Sequence, residues 1–557
     1  MKAEDILEGL DSEQREAVEA IRGPVCIIAG AGTGKTRTIT HRIAYAIAAG
    51  VTDQNRTLAL TFTAKAAGEM RARLRTLGVP QANARTFHAA ALKQLMYFWP
   101  YSFGGAFPKL LTSKTGFMSE AMGRSDTFLT PGATTLREIA GEIEWAKAGE
   151  FAPDQYAQSA ITASRTLRIP NGKSDRENFA EIAKVYDAYE TLKLQERVID
   201  FEDVLLLTVG MLEEDRAVRE RVRDQYRFFT VDEYQDVSPL QQRLLNLWLG
   251  NRTDICVVGD AAQTIYSFAG ATSTFLLGFQ GRFPDAKVIR LTRGYRSTPE
   301  IIQIANSVLS QSATHADQQL VSMNTHGENF ELDLFTSTTL EAAHVADRIQ
   351  SLGVKGAIEE GSASIAILAR TNQQLDQFER ELAARGIETQ LKSNERFFDR
   401  VDVRDVMRVI RSASVIPNDE NWLRDLESVL RPFGDADYIR AIMGLARRIF
   451  AEGAPNMRSL LRELEDRADQ NNPPELPGVL LSTLHAAKGL EWDHVFLVGV
   501  NDGLLPLTSG SDEPSLHPSA LEEERRLFYV GLTRAKRQVH ITTSGAPSPF
   551  LQGFLAS

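Results

Sequence analysis

Residues 24–36 read Pro-Val-Cys-Ile-Ile-Ala-Gly-Ala-Gly-Thr-Gly-Lys-Thr, and this stretch constrains the fold more than any other. The short β-branched run predicts a buried strand over 24–29. Gly30 to Gly34 predict a tight turn, and a helix opens at Lys35. Strand, glycine turn and helix form the opening unit of an α/β lobe. Similar apolar runs follow at 58–62, 228–231 and 255–258, the first leading into helix formers over 65–75 and the last two into acidic residues. Runs that are apolar throughout, not alternating, predict a parallel sheet covered on both faces. A second set is expected to begin at 287–291 and to continue through 364–368, 479–481, 495–498 and 539–542. Residues 92–197 and 401–477 are helical in character, and the latter closes on the breaker Asn-Asn-Pro-Pro-Glu-Leu-Pro. The expected fold class is therefore α/β, with two parallel-sheet lobes carrying mainly helical insertions. The expected bounds are 1–91 with 198–284 for the first lobe, 92–197 for its insertion, 285–400 with 478–557 for the second lobe and 401–477 for its insertion. Polar linkers are expected at 312–329 and 508–518.

The opening turn also carries chemistry. Gly34-Lys35-Thr36 fill the second half of the pattern G-x4-G-K-[ST], while Ala29 stands at its first glycine. The phosphate-cradling function survives that change, because it uses successive backbone N–H groups, here of Gly30, Ala31, Gly32, Thr33 and Gly34, at a helix N-terminus. Lys35 would reach the β- and γ-phosphates of ATP, and the Thr36 hydroxyl would bind Mg²⁺. The 228–231 run delivers Asp232 and Glu233. Asp232 suits Mg²⁺ held through its waters, and Glu233 suits orienting and deprotonating an attacking water. Alone, such an acidic pair is common at strand ends. If two lobes close on the nucleotide, Arg296 and Arg534 are candidates to stabilise phosphoryl transfer, although from spacing alone a solvated surface arginine is the better reading of either.

The chain has 557 residues, with 62 Lys plus Arg against 73 Asp plus Glu, a net charge of −11. That length suits several domains, and the ordinary apolar and charged content excludes a disordered chain or a disulfide scaffold. The acidic balance by itself argues mildly against nucleic acid. Cys26 and Cys256 sit in apolar runs and are expected to be buried, reduced thiols, not a zinc site. The N-terminus has no apolar signal core, and no stretch approaches the roughly 18 apolar residues of a membrane span. The expectation is a cytoplasmic protein with no membrane association.

Taken in order, further motifs carry a resemblance. Leu10-Asp11-Ser12-Glu13-Gln14, Thr61-Phe62-Thr63-Ala64-Lys65, Thr86-Phe87-His88, Val231-Asp232-Glu233-Tyr234-Gln235-Asp236, Val258-Gly259-Asp260-Ala261-Ala262-Gln263, Gly294-Tyr295-Arg296-Ser297-Thr298, Ser482-Thr483-Leu484-His485 through Trp492, and Glu522 through Lys536 follow one another along nearly the whole chain. The sequence resembles superfamily-one DNA helicases of the UvrD/Rep/PcrA type, and within them the compact UvrD-like helicases of actinobacteria. The resemblance implies two RecA-like lobes and ATP-driven 3′→5′ movement on single-stranded DNA. It implies unwinding of duplexes with a 3′ single-stranded tail, in DNA repair. By the same resemblance Gln14 and Tyr295 grip adenine, Gln263 senses the γ-phosphate, Glu491 meets the ribose, Arg296 and Arg534 act as arginine fingers from the second lobe, and the nucleotide set extends to Arg37. Tyr295 could otherwise be a core aromatic.

Phe62, Tyr266 and Phe268 match family positions that stack on the DNA strand. Phe62 also reads as core, since it ends an apolar run. His88, His485 and Thr483 match positions that meet backbone phosphates, although a lone histidine is commonly structural. Lys65, Arg71, Arg73 and Arg75 form a basic helix that reads as a solvated face or as part of the phosphate track. Two departures stand out: Gly294 replaces the usual Asn, and Ala269 stands where many relatives have Arg. The second insertion is short, with 11 Arg and no Lys against 14 Asp plus Glu over 401–477. That motivates an alternative: a translocase that strips proteins from single strands with weak unwinding. An RNA-directed helicase is a third reading. Protein partners are unknown.

Overall fold

The computed structural model describes residues 2–111, 113–167, 169, 172–312, 319–352, 364–391, 397–414, 421–434, 436–451, 456–469, 474, 478–508 and 517–554. Of the expected linkers 312–329 and 508–518, residues 313–318 and 509–516 lie outside them, as does all of the 471–477 breaker except Pro474. The chain divides into two compact units. One comprises Met1–Ala29, Lys35–Thr63 and Met70–Leu291, the other Gly30–Gly34, Ala64–Glu69 and Thr292–Ser557.

The first unit holds a six-stranded sheet of β1 (Val25–Ala29), β2 (Thr57–Thr61), β3 (Asn83–Thr86), β4 (Phe228–Val231), β5 (Ile255–Gly259) and β6 (Lys287–Leu291), in the order β3-β2-β4-β5-β1-β6. Every neighbouring pair is parallel. Period-two alternation divides its side chains between two cores. Cys26, Leu58, Leu60, Phe229, Val231 and Val257 pack against helices Phe87–Ser102, Phe201–Glu214 and Pro239–Leu249. Val25, Ile27, Ala59, Cys256, Val258 and Ile289 face helices Lys35–Ala48 and Ala64–Thr76. Both cysteines are buried and free, and burial foremost, with Cys256 next, pushes the Cys26 thiol up to about 12.

One strand departs from the expectation. Lys287–Leu291, read as the start of the second set, pairs with β1 and closes the edge of the first sheet. Its apolar run is only half-covered, with Ile289 and Leu291 buried but Val288 37% exposed. Such a run has the same signature on either sheet, so composition could not assign it.

The first insertion gathers Met118, Ile139, Ile143, Tyr156, Phe179 and Tyr189 from helices Thr115–Arg124, Ala133–Ala148, Pro153–Thr162 and Asp175–Glu196. At its base lies a buried ionic network. Lys147 Nζ sits 2.8 Å from Asp200 and 2.6 Å from Asp203, and Lys193 Nζ sits 3.0 and 2.6 Å from the same two residues. Glu190, Asp200 and Asp203 converge closely enough for a metal, but Lys147 and Lys193 each already pair with all three. Asp200 and Asp203 also form a reciprocal cap on the helix that starts at Phe201.

The second unit holds another all-parallel sheet of β7 (Glu331–Leu334), β8 (Ile365–Ala369), β9 (Thr389–Leu391), β10 (Val479–Thr483), β11 (Trp492–Leu497) and β12 (Ala535–Thr543), in the order β7-β12-β11-β8-β10-β9. Its insertion consists of helices Val401–Ala413, Trp422–Leu430, Asp437–Ala451 and Met457–Asp469 around Val406, Trp422, Leu426, Ile442 and Leu460. Some of its charges are paired, as in Arg411–Glu465 and Arg467–Glu463. Among the described residues, no helix is long and apolar enough to cross a membrane.

Candidate functional site

Parallel strands bring their C-terminal ends to one edge, and in the first unit Lys35, Thr36, Asp232, Glu233 and Gln263 follow the strand ends there. β1 ends at Ala29, and the turn Gly30–Gly34 leads to the helix beginning at Lys35. Gly32 and Gly34 take φ of +73° and +81°, which a side chain resists, so glycine is required at both. The Thr33 hydroxyl donates to the Gly30 carbonyl at 3.0 Å, and Thr33 and Ala31 are both buried. Thr36 occupies the first helical turn, and its carbonyl accepts from the Thr40 hydroxyl at 2.8 Å. Lys35 Nζ stands 3.9 Å from Glu233 Oε1.

Gln14 is buried in the helix Ser12–Glu19, where its backbone N–H donates to the capping Asp11 carboxylate at 2.8 Å. The Arg37 guanidinium donates to the Gly9 carbonyl at 2.9 Å, which ties the N-terminal segment to the helix after the turn.

β4 ends in Val231, and Asp232 is 5% exposed with its carboxylate accepting from the Glu233 N–H at 2.9 Å. Glu233 itself has φ +52° and ψ +41°. A non-glycine residue in the left-handed region is a strained position, and such positions concentrate at functional sites. Two residues that sequence reasoning did not single out keep this arrangement. The Gln235 side-chain amide donates to Glu233 Oε2, and its carbonyl accepts from the Asp260 N–H at 3.0 Å. Asp260 Oδ2 accepts from Gln263 Nε2 at 2.6 Å, and Oδ1 from the Ala262 N–H at 3.0 Å. Glu233, Gln235, Asp260 and Gln263 thus form one chain, with the last three at most 3% exposed. Gly259 makes room for it: a Cβ there would fall 2.5 Å from Gln235 Oε1. A buried amide at 235 inside an otherwise acidic motif was the available signal.

The hydroxyl of Thr36 and the carboxylate of Asp232 are hard oxygen donors, which suits a partly hydrated Mg²⁺.

Beyond β2 and β5 lies an aromatic ledge. Phe62 stacks on Tyr266 with ring centroids 5.4 Å apart and planes at 13°, and Tyr266 meets Phe268 edge-on at 6.0 Å. Phe62 is 40% and Phe268 53% exposed, so neither is core. The Phe268 carbonyl accepts from Arg165 of the first insertion at 3.2 Å, and Arg165 is itself clamped by Glu142. In the basic helix, Arg71 donates to the Ala84 carbonyl at 2.7 Å. His88 is half-buried, and burial first and Lys114 second push its pKa down to about 4.

In the second unit, Arg296 donates from Nε to Glu491 at 2.6 Å and from NH1 to the Thr533 carbonyl at 3.2 Å. Lys536 Nζ holds the other Glu491 oxygen at 2.9 Å. Burial opposes the ionised form of Glu491, but Arg296 and Lys536 prevail and hold its pKa at about 2. Arg534 is buried and donates to the carbonyls of Val530 at 3.0 Å and Leu490 at 3.3 Å, at the C-terminal end of the helix Pro518–Leu532, where a cation is favoured. Tyr295 is 43% exposed and so is not a core aromatic. Thr483 caps its turn by accepting from the Ala486 N–H at 3.4 Å. His485 is pushed down to about 3 by burial, then Arg370 and Lys488. Both predicted phosphate-binding histidines are therefore neutral at physiological pH, able to donate a hydrogen bond but adding no charge.

Residues 10–284 match the UvrD/REP helicase N-terminal domain, and residues 289–445 and 452–545 match the UvrD-like helicase C-terminal domain. The chain is 42% identical to the ATP-dependent DNA helicase UvrD2 of Mycobacterium tuberculosis, over 99% of this chain and 82% of that protein. It is 29% identical to the ATP-dependent DNA helicase PcrA of Leuconostoc citreum, over 98% and 83%, and 27% identical to PcrA of Bacillus subtilis, over 97% and 83%.

Proposed function

Because the chain belongs to the UvrD/Rep family of ATP-dependent DNA helicases, and is a DNA-dependent ATPase, we propose that it moves 3′→5′ along single-stranded DNA and opens duplexes bearing a 3′ single-stranded tail, in DNA repair. The observation that carries the reading is the Glu233–Gln235–Asp260–Gln263 chain, placed beside Lys35 on the sheet edge where Phe62 follows β2. In this reading the backbone of 30–34 and Lys35 bind the phosphates of ATP. Thr36 and Asp232 hold Mg²⁺, which supplies charge neutralisation on the phosphate oxygens. Glu233, aimed by Gln235, accepts the proton of the attacking water. Gln263 reports the γ-phosphate to Asp260, and Arg296 and Arg534 stabilise the charge that develops on transfer. Gln14 and Tyr295 take the adenine and Glu491 the ribose. Phe62, Tyr266 and Phe268 stack on bases, and Thr483 with neutral His88 and His485 donates to phosphates.

The test is strand displacement on 3′-tailed, 5′-tailed and blunt duplexes beside an ATPase assay with single-stranded DNA and RNA. Unwinding of the 3′-tailed substrate alone, with ATPase stimulated by DNA over RNA, is the expected result. The short second insertion, in which Arg411–Glu465 and Arg467–Glu463 are among the paired charges, favours a second reading: a single-strand translocase that strips bound proteins. ATPase and translocation without unwinding would select it.

A further inference from the structure

The opposite edge of the first sheet carries a feature that the motor does not use. In a parallel sheet the residues preceding each strand collect at one edge. Here Arg56 precedes β2, Arg227 precedes β4 and Asp254 precedes β5, with Arg22 three residues before β1 and Arg252 close by. Together with Asp53 they line a cavity of about 660 Å³. A five-residue strand spans about 16 Å, which separates this cavity from the end where Asp232 and Asp260 lie.

The charge in the cavity is unbalanced. Four guanidinium groups face two carboxylates, and both carboxylates already serve the backbone: Asp254 accepts from the Gly23 N–H at 3.0 Å and Asp53 from the Asn55 N–H at 2.7 Å. Arg252 donates to the carbonyls of Leu249, Arg223 and Tyr226 at 2.9, 2.6 and 2.9 Å, so it is fixed in place by backbone oxygens, with Asp224 and Glu220 the carboxylates that act on its charge. Burial, then neighbouring Arg223 and Arg227, lowers its pKa. Arg22 reaches Asp254 only at 3.7 Å and rests over the Phe228 ring, while Arg227 meets Asp224 at 3.3 Å with both side chains exposed. Among the described residues, no acidic side chain pairs with Arg56, which is exposed. A positive concavity is unexpected in a chain of net charge −11.

We infer that this cavity is a second anion site, separate from the ATP site, that takes a small polyphosphate of two or more linked phosphoryl groups. Planar guanidinium forks match phosphate oxygens in pairs, and several converging on one concavity suit adjacent phosphates. The one lining aromatic, Phe228, is covered by Arg22, so no base platform is offered. The anion comes either as free polyphosphate or as the tail of a nucleotide. The inference stands independently of the helicase reading.

Calorimetric titration of the full chain with inorganic tripolyphosphate in Mg²⁺-free buffer tests it. The Lys35→Ala variant is expected to retain one binding equivalent, weakened by added salt. Arg56→Gln with Arg227→Gln in that background is expected to weaken it by about tenfold or more. Both arginines are exposed, and melting temperature checks the fold. Arg56→Lys with Arg227→Lys, which keeps charge but loses the forks, is expected to fall between. ATP binding more tightly than tripolyphosphate at the retained site would identify the nucleotide tail, and equal binding the free polyphosphate. Loss of all binding with Lys35→Ala alone, or no effect of the arginine pair, would overturn the inference. So would a short blunt duplex that binds more tightly than tripolyphosphate through the same two arginines.

Discussion

The first unit orients its key carboxylate with neutral groups, whereas the second holds its key cation with a carboxylate. Glu233 is aimed by the Gln235 amide, and Lys35 stays 3.9 Å away. Arg296 is held at 2.6 Å by Glu491, whose other oxygen is taken by Lys536. The difference follows from what each group must keep. A base needs its proton affinity, which a guanidinium at contact distance would depress far more than an amide does. A guanidinium is charged at any working pH, so a carboxylate can fix its direction without altering its state. Because the Glu491 pKa lies at about 2, that carboxylate stays ionised across the physiological range.

The largest effect should come from breaking the second arrangement at its cation. Arg296→Ala is expected to lower the DNA-stimulated kcat on the order of 10³-fold, as loss of an arginine finger does. Glu491→Gln should cost only about tenfold, the worth of one charge-assisted hydrogen bond. Steady-state ATPase assays check both, and equal losses would show that Glu491 does more than aim Arg296.

Breaking the first arrangement comes next. Gln235→Leu should reduce kcat about 10²-fold and move the acid limb of the kcat–pH profile upward, because Glu233 loses a donor that favours its charged form. Gly259→Ala should act in the same direction by displacing Gln235. An unmoved pH limb in both variants would make Gln235 a packing residue only. On the DNA side, Phe62→Ala should weaken single-strand affinity about tenfold, one base stack, in a fluorescence anisotropy titration.

The smallest effect separates the units by pH. His88 titrates near 4 and His485 near 3 in the folded chain, against 6.5 unfolded. Both therefore contribute stability that is complete above pH 6.5 and is lost as pH falls through those values. Denaturant melts from pH 7 to 4 should show declining stability, and His88→Gln should flatten the decline in the first unit. Stability independent of pH over that window would contradict both placements.

Much of this was legible in the residues. The buried runs of both sheets appear where continuous apolar sequence predicts them, because central parallel strands are covered on both faces. The edge strands Asn83–Thr86, Glu331–Leu334 and Thr389–Leu391 were missed, since an edge needs no continuous apolar run. Gln235 and Asp260 escaped because their role is a contact between two strand ends 25 residues apart.

By itself, the sequence determined the strand–turn–helix at 25–48, the glycines whose positive φ shapes the turn, and the acidic pair after β4, because each is encoded in adjacent residues. Only the tertiary structure decided that Lys287–Leu291 completes the first sheet and that Phe62 stands clear of the core. It also decided that arginines scattered from 22 to 252 meet at one edge. The physical reason is common to all three: sheet order and strand direction bring together residues distant in the chain, and no local pattern records which strands become neighbours.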